Sequence, residues 1–274
     1  MQAPAITAFL PATLEAGAEI MRIYESGETA TEIKDGGSPV TAADKAAEAV
    51  ILRHLAELAP GIPVVAEEEV AAGRIPETPA AFFLVDPLDG TKEFLNRNGE
   101  FTVNIALIVN AAPVAGIVYA PALGELCFGT TGEGAECALV RDGVLADRRS
   151  VRVRAPSAEG PLALASRSHR SPETDAFLDR AGVSGIVSAG SSLKFCRIAA
   201  GEADLYPRLA PTMEWDTAAG DAVLRAAGGR TVTLDGAPLR YGKRGRADAA
   251  DFLNPWFVAS GAVVDPEILS AAGA

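Results

Sequence analysis

The chain has 274 residues, of which 49% are hydrophobic and 22% charged, and its formal net charge is −12. This composition supplies a sizeable buried core, for one large domain or two of ordinary size, and argues against wholesale disorder. An acidic chain does not attract a nucleic-acid backbone or an anionic membrane over long range, so no nucleic-acid polymer is expected as a partner. A phosphorylated ligand would instead depend on local cations and bound metal.

The cysteines and histidines narrow the chemistry further. Cys127, Cys137 and Cys196 are odd in number and lack CxxC spacing, so neither a disulfide framework nor a structural zinc site is expected. His54 and His169 form no HExxH motif, which excludes zinc hydrolases of that kind. No segment reaches the roughly 20 apolar residues of a membrane span, and the N-terminus lacks an export signal. We expect a soluble protein of the reducing cytoplasm, with peripheral association at the inner membrane left open.

The first half of the chain predicts helices followed by an antiparallel meander. Thr41 has the features of a helix N-cap, with Asp44 at the capping-box position and apolar residues at helical spacing after it. The expected elements in chain order are a helix at 6–25, a helix from Thr41 to the Pro60-Gly61 stop, strands at 62–66 and 81–85, and three strands over 101–129.

The second half alternates short strands with helices, which is typical of an α/β layer. Strands are expected at 162–166, 184–190 and 203–208, and helices at 171–182, 191–201 and 215–229. The charged stretch 141–154 is the best candidate for a junction. We therefore predict an α/β fold (α+β in some schemes) with two closely packed subdomains, 1–150 and 151–274, and a site between them. The charged segment 241–252 is expected to be mobile.

Three segments carry the acidic residues on which the functional prediction depends. They are Val64–Glu69 (VVAEEE), Val85–Thr91 (VDPLDGT) and Glu214–Thr217 (EWDT). In the first two, a hydrophobic strand ends in carboxylates, which is where α/β proteins commonly place ligands. Asp86 and Asp89 flank a proline, so a tight turn can aim both at one point. Oxygen ligands without His or Cys suit Mg²⁺ or Mn²⁺, and paired metals serve in-line phosphoryl displacement.

Each acidic residue also has a plainer interpretation. Glu67 to Glu69 could form a solvated loop, Asp86 and Asp89 could be turn formers, and Asp44 and Asp216 could be helix caps. Their joint occurrence favours a site. Gly90 and Thr91 then lie at the start of a possible short helix, whose free N–H groups would suit phosphate oxygens.

The string DPLDGT, preceded by a glutamate-ended strand and followed far downstream by WDTAAG, resembles the inositol monophosphatase superfamily of metal-dependent, lithium-sensitive phosphatases. The matching segments, in order, are PVTAAD, VVAEEE, LVDPLDGTKEF, GEFTVNIAL, GIVYAP, GSSLKF, ADLYPR and WDTAAG. Within the superfamily, DGTKEF, GSSLKF and YPR resemble the bacterial CysQ type, a group of 3′(2′),5′-bisphosphate nucleotidases. The resemblance implies a layered αβαβα sugar-phosphatase-like architecture and removal of the 3′-phosphate of adenosine 3′,5′-bisphosphate to give AMP.

The resemblance also implies a role for each matching residue. One Mg²⁺ would bind Glu67, Asp86 and the carbonyl of Leu88, a second would bind Asp86, Asp89 and Asp216, and a third, weaker ion would lie near Glu67, with Mn²⁺ as a possible substitute. Thr91 and Asp44 would orient and help deprotonate the nucleophilic water, with Glu67 and Asp89 counted among the catalytic residues and Glu68 as an outer carboxylate.

Substrate contacts are expected from backbone N–H groups of Gly90 and Thr91, from Asp216, and from a second set of residues further along the chain: His169, Ser191, Ser192, Lys194 and Arg208. Lys194, which follows Ser191 and Ser192 at a strand-to-helix turn, is placed to hold a second phosphate. Arg208 could add a bidentate contact, and His169 could approach the nucleotide. The alternatives are surface solubility for the two cations and an ordinary loop position for the histidine.

No Cys or His nucleophile motif is present, so we expect direct attack of metal-activated water without a covalent enzyme intermediate. A sugar or inositol phosphate is the alternative substrate. A catalytically silent nucleotide or metal sensor is the alternative outside the enzyme class. The sequence leaves the choice between monomer and homodimer open.

Overall fold

The computed structural model describes residues 5–27, 31–33, 39–155, 157–165, 171–262 and residue 269. A 3₁₀ turn at Ile6–Phe9 precedes the helices α1 (Leu10–Ser26), α2 (Ala42–Leu58), α3 (Glu67–Ala71), α4 (Thr91–Leu95), α5 (Pro172–Arg180), α6 (Leu193–Ala199) and α7 (Ala218–Ala226). The strands are β1 (Thr31–Ile33), β2 (Pro39–Thr41), β3 (Val64–Ala66), β4 (Ala81–Asp89), β5 (Thr102–Val109), β6 (Ala112–Ala120), β7 (Glu125–Thr130), β8 (Gly134–Arg141), β9 (Val144–Val151), β10 (Leu162–Ala165), β11 (Gly185–Ser188), β12 (Leu205–Arg208), β13 (Arg230–Thr233) and β14 (Phe257–Ser260).

The strands form two large sheets and one small hairpin. The seven-stranded sheet follows chain order from β3 to β9, with β3 parallel to β4 and every later pair antiparallel. The five-stranded sheet has the order β11-β10-β12-β14-β13, in which β14 runs antiparallel to both of its neighbours. β1 and β2 pair separately.

Three apolar clusters define five layers. The outer face of the seven-stranded sheet packs on α1 and α2, where Ile20 and Ile51 meet Phe83. Its inner face shares a cluster with α6, α7 and one face of the five-stranded sheet. α5 covers the remaining face, where Phe177 meets Val258. The predicted αβαβα layering is therefore confirmed.

A glycine patch of the seven-stranded sheet, formed by Gly116 and Gly129, brings α7 close to the sheet backbone. Gly116 and Gly129 lie directly opposite each other on β6 and β7. A Cβ on Gly116 would lie 2.5 Å from the Ala219 carbonyl oxygen, and one on Gly129 would lie 2.8 Å from the Ala226 Cβ. Glycine is therefore required for α7 to lie on the backbone of the sheet, which fixes where the residue preceding the helix arrives.

The cysteine expectation was wrong. Cys127 and Cys137 form a disulfide across β7 and β8, while Cys196 is a buried free thiol. The two half-cystines are directly opposite in the strand register, although they are separated by 10 positions in the sequence. A hairpin can thus pair cysteines that lack CxxC spacing, and the bond does not fit the expectation of a fully reduced protein.

Two charged segments that the sequence singled out, the candidate junction 141–154 and the segment 241–252, have defined structure. Most of the stretch 141–154 forms the edge strand β9, whose Arg148 and Arg149 are exposed, as is common where an edge must resist further pairing. The segment 241–252, which was expected to be mobile, is packed: Tyr241 is 2% exposed and Phe252 is fully buried. Among the described residues, no helix has both the length and the apolar character needed to cross a membrane.

Candidate active site

An irregularity in β4 places Asp86 and Asp89 on one face. Asp86 pairs with Asn104 and Asp89 with Thr102, so three steps along β4 match two along β5. In a regular strand, the side chains of residues three apart point to opposite faces. The extra residue in the bulge turns the side chain of Asp89 to the same face as that of Asp86. The strand therefore continues through the acidic residues, beyond the end predicted at Val85. A bulge, and not the predicted tight turn, directs both carboxylates to one point.

Asp216 completes a group of three carboxylates. It directly precedes Thr217, the N-cap residue of α7. Carboxylate oxygens of Asp86, Asp89 and Asp216 all lie within 4.8 Å of one another. The Asp216 Oδ2 also accepts a hydrogen bond from the Met213 N–H at 2.9 Å, which orients the side chain. Residues far apart in the sequence thus meet in an arrangement that can bind a cation.

The electrostatics of this group favour a cation. Burial, followed by the negative charges of Glu67, Asp89 and Asp216, raises the pKa of Asp86 well above its ordinary value. Burial likewise raises the pKa of Asp89 to about 6, although the ammonium of Lys194 opposes the shift, and raises that of Asp216. Buried, mutually repelling carboxylates are costly without a counterion. The all-oxygen donor set and its charge therefore fit Mg²⁺ or Mn²⁺.

Asp44 both caps α2 and faces Thr91, as the two interpretations of the sequence proposed. Its Oδ2 accepts hydrogen bonds from the backbone N–H and the hydroxyl of Thr41, at 2.8 and 2.7 Å, which forms the predicted capping box of α2. Its Oδ1 faces the hydroxyl of Thr91 at 3.4 Å. Burial raises the pKa of Asp44 to about 6, although the Thr41 hydrogen bonds oppose this. The cap thus holds the carboxylate beside Thr91.

The glutamates after β3 are arranged by a residue on α2. Glu67 begins α3, and its charge contributes to the raised pKa values of Asp86 and Asp216. The backbone N–H of Glu68 donates to Glu48 Oε2 at 2.8 Å. Glu48 is 4% exposed, and burial raises its pKa to about 7. Glu48 therefore fixes the start of α3 beside the site.

The segment between Asp86 and Asp89 also supports the site. The backbone N–H of Leu88 donates to Asp86 Oδ1 at 3.0 Å, so the bulge itself helps to orient this carboxylate. Gly90 follows as the N-cap of α4 with a left-handed φ of 94°, which glycine adopts without strain. Thr91 is the first helical residue, and its hydroxyl is thereby directed at Asp44.

The two serines before α6 bond to the backbone of the carboxylate-bearing segments. Ser191 Oγ lies 2.8 Å from the carbonyl oxygens of Asp89 and Glu100. Ser192 Oγ donates to the Asp216 carbonyl at 2.6 Å and accepts from Asn104 Nδ2 at 3.1 Å. The serine side chains therefore join the two halves of the site.

Lys194 lies at the predicted strand-to-helix turn, and its ammonium is bonded to the protein itself. Its side chain is buried, and its ammonium donates to the carbonyls of Ser191 at 2.7 Å and Ala189 at 3.3 Å. The ammonium also lies 5.1 Å from the ring centre of Tyr206. Burial lowers its pKa to about 8. In this arrangement Lys194 supports the 189–192 turn, because its donors are directed at protein carbonyls.

Arg208 retains capacity for a ligand. Its Nη2 donates to the Pro211 carbonyl at 2.8 Å, and its Nε is buried without a hydrogen-bond partner in the described part of the chain. Its positive charge acts on Asp216 and opposes the rise of that pKa. His169 lies outside the described residues.

Comparison with known proteins agrees with this geometry. The model of the inositol monophosphatase family matches residues 1–261. The chain belongs to this family of phosphatases. It is 45% identical to the 3′(2′),5′-bisphosphate nucleotidase CysQ of Salmonella typhimurium, with 88% of this chain and 94% of that protein covered.

Solved structures show the same family fold. The crystal structure of CysQ from Bacteroides thetaiotaomicron matches with a TM-score of 0.74 at 40% identity, over 94% of this chain and 97% of that one. An IMPase from Thermotoga maritima matches with a TM-score of 0.75 at 23% identity, over 96% of this chain and 94% of that one, which supports the fold alone.

Sequence reasoning about this phosphatase missed two buried polar residues. Asn104 is 1% exposed, accepts from the Thr102 hydroxyl at 3.1 Å and donates to Ser192. Its signal was an amide within the apolar strand FTVNIALIV. Glu48 was hidden on the helix that was assigned only an apolar stripe, where its position one turn after Asp44 was the available signal.

Proposed function

We propose that this phosphatase is a Mg²⁺-dependent 3′(2′),5′-bisphosphate nucleotidase that hydrolyses the 3′-phosphate of adenosine 3′,5′-bisphosphate to give AMP and phosphate. The observation that carries the proposal is the convergence of Asp86, Asp89 and Asp216 within 4.8 Å, with pKa values raised by burial. The names of the CysQ relatives support the choice of substrate.

Asp86, Asp89 and Asp216 would hold the cations, together with Glu67 and the carbonyl of Leu88. When bound, Mg²⁺ supplies a lowered water pKa and stabilises charge on the phosphoryl and leaving oxygens. The protein's contribution is to place these oxygens on a bulged strand and at the start of α7, so that little reorganisation is needed when substrate binds.

Thr91 and Asp44 would orient the attacking water. Because Thr91 donates its hydroxyl proton to Asp44 Oδ1, the lone pairs of Thr91 Oγ1 are available to accept from water. With a pKa of about 6, Asp44 can take up a proton near neutrality. The backbone N–H groups of Gly90 and Thr91 would face the phosphate oxygens.

Arg208 supports a doubly phosphorylated substrate. Its buried Nε has no partner in the described residues, which is costly unless a ligand supplies an acceptor. A second phosphate is an acceptor of the required charge and geometry. We assign Arg208, rather than Lys194, the direct contact with this group, and Lys194 the support of the turn beneath it.

The test is phosphate release from adenosine 3′,5′-bisphosphate, inositol 1-phosphate and fructose 1,6-bisphosphate with Mg²⁺, repeated with EDTA and with Li⁺. We expect release mainly from the nucleotide, and only with Mg²⁺. Thr91→Val, which keeps the shape and removes the hydroxyl, should lose most turnover, whereas Thr131→Val on an exposed turn should not.

The substrate outcomes separate the alternatives. Release only from inositol phosphate would keep the metal site and reject the nucleotide. Nucleotide binding by calorimetry without release from any substrate would favour the sensor. Arg208→Met should weaken kcat/KM for the bisphosphate about tenfold more than for adenosine 3′-monophosphate, since a charged hydrogen bond of about 1.5 kcal/mol is lost only with the former.

A further inference from the structure

The segment that follows β13 clamps the loop that carries Asp216. We call residues 212–217 the Asp216 loop and residues 241–254 the C-terminal brace. The two run antiparallel, with a bridge between Met213 and Leu253. The backbone N–H of Glu214 donates to the Phe252 carbonyl at 2.8 Å, and the N–H of Asn254 donates to the Thr212 carbonyl at 2.9 Å.

Glu214 is the buried anchor of this contact. It is fully buried, and its carboxylate accepts from the backbone N–H groups of Gly242 at 2.5 Å and Lys243 at 2.9 Å. The ammonium of Lys243 lies 2.7 Å from Glu214 Oε1. Three donors from the brace therefore compensate one buried negative charge, which is the condition under which such a charge is tolerated.

Asn254 makes the second contact. Its Nδ2 lies 2.8 Å from the Met213 carbonyl, 3.1 Å from Thr212 Oγ1 and 3.0 Å from Thr217 Oγ1. Its Oδ1 accepts from the ammonium of Lys243 at 3.2 Å. Lys243 thus bonds both Glu214 of the Asp216 loop and Asn254 of the brace.

The Asn254 contact reaches the Asp216 carboxylate through one residue, Met213, and the Lys243 contact reaches it through Asn254 and Met213. Asn254 holds the carbonyl of Met213, and the N–H of Met213 donates to Asp216 Oδ2. On the other side, Ser192 holds the Asp216 carbonyl at 2.6 Å. The rotation of the Asp216 carboxylate about its own bonds is therefore set by the position of Met213, which the brace fixes.

We infer that Lys243 and Asn254 are positioning residues that set the affinity of the carboxylate group for divalent cation through the orientation of Asp216. This rests on the proposed metal-dependent function. Outer partners that orient metal-binding carboxylates commonly change metal affinity by 10- to 100-fold when lost. A purely structural brace would lower thermal stability and leave metal affinity unchanged.

The pair of Asp204 and Arg154 provides a control, in which the carboxylate is buried and the guanidinium is exposed. Asp204 is 4% exposed, and its carboxylate binds Arg154 Nε and Nη2 at 2.8 and 3.0 Å. In the described part of the chain, no hydrogen bond joins either residue to the Asp216 loop. Arg154→Met and Lys243→Met each leave a buried carboxylate without its cation, but only the second touches the loop.

The experiment is calorimetric titration of the metal-free full chain with Mg²⁺ at pH 8, beside thermal unfolding in EDTA. Lys243→Met should bind Mg²⁺ about tenfold more weakly than wild type, whereas Arg154→Met should stay within about twofold. Both should lower the unfolding midpoint. Wild-type affinity in Lys243→Met would overturn the inference, since the brace would then be purely structural.

A second variant covers failure of the first to fold. Glu214→Gln/Lys243→Met removes both charges and keeps a side-chain oxygen for the two N–H groups, so it should fold and still bind Mg²⁺ more weakly than wild type. Full affinity in this variant would also overturn the inference. Absence of Mg²⁺ binding by wild type would instead reject the proposed function, and the two failures are thereby distinguished.

Discussion

Among the described residues, the buried carboxylates of the two halves of the chain differ in their partners. Those of the second half lie beside cations of the chain, and those of the first half do not. In the second half, each of three buried carboxylates lies close to a cation. The pairs are Asp204–Arg154 at 2.8 Å, Asp221–Arg225 at 2.8 Å and Glu214–Lys243 at 2.7 Å. These charges are neutralised by the chain itself.

In the described part of the first half, three buried carboxylates have no such cation partner. Asp44, Glu48 and Asp86 are each at most 4% exposed. Within the part of the chain that the structure describes, none of the ion pairs involves any of the three. Burial is the leading cause of the raised pKa in all of them.

The difference separates stability from function. Paired carboxylates hold segments in place, whereas uncompensated ones make the metal-free protein less stable and leave negative charge for a ligand. Such a cost is typical of functional sites, which commonly trade stability for activity. Asp216 comes from the second half, but no ion pair of the described residues involves it, and burial raises its pKa as it does for the carboxylates of the first half.

The largest expected effect is that of Asp89→Asn. Loss of this carboxylate should reduce Mg²⁺-dependent turnover by more than about 100-fold, the upper range for losing even an outer metal partner. Because burial raises the pKa of Asp89, its removal should also raise the thermal midpoint of the metal-free protein at pH 8. Activity assays and unfolding in EDTA measure the two effects. A lower midpoint would show that the charge of Asp89 is compensated within the protein, with the Lys194 ammonium as the nearby cation.

Arg225→Met should act in the opposite direction. It leaves Asp221 fully buried without its cation, so we expect a loss of about 3 kcal/mol in the free energy of unfolding, the lower end for a broken buried pair. Mg²⁺ affinity should not change. Denaturant unfolding and calorimetry measure the two quantities. Arg180→Met on exposed α5 surface is the control, and a neutral result for Arg225→Met would show that the pair contributes little.

The smallest effect is that of Glu48→Gln, which keeps an acceptor for the Glu68 N–H. The folded-state pKa of about 7 exceeds the ordinary 4.5, so the folded protein binds more protons across that interval and wild type loses stability as pH rises through it. The variant should be more stable than wild type by about 1 kcal/mol at pH 8 in EDTA, with a smaller difference at pH 5.

Denaturant unfolding at the two pH values measures this difference, with Glu57→Gln on the exposed face of the same helix as control. A stability difference between Glu48→Gln and wild type that is no larger at pH 8 than at pH 5 would show that the charge of Glu48 is compensated by other means.

Local chemistry made much of the fold and site predictable from the sequence. The capping box at Thr41 and Asp44, the alternation of strands with helices after residue 160, and the acidic ends of strands are all visible within a few neighbouring residues. The layered fold was confirmed. The division at residue 150 stays a prediction, as do the individual catalytic roles.

The missed features depend on contacts between distant residues. The direction of Lys194 is decided by carbonyls of its own turn and by the ring of Tyr206, and a charged residue gives no sequence signal for burial. The order of segment 241–252 comes from Glu214, which lies about 30 positions earlier and was assigned no role. Composition indicated solvent for both.

The contact of α7 with the glycine patch limits how far the helix can shift above the sheet. Side chains that separate a helix from a sheet can change rotamer and let the helix settle at slightly different heights. At Gly116 and Gly129 the helix lies on bare backbone, which has no such freedom. The height of α7, and of Asp216 at its start, is therefore held to the tolerance of peptide geometry. Two positions that carry no functional group thus help to fix how Asp216 approaches the other two carboxylates.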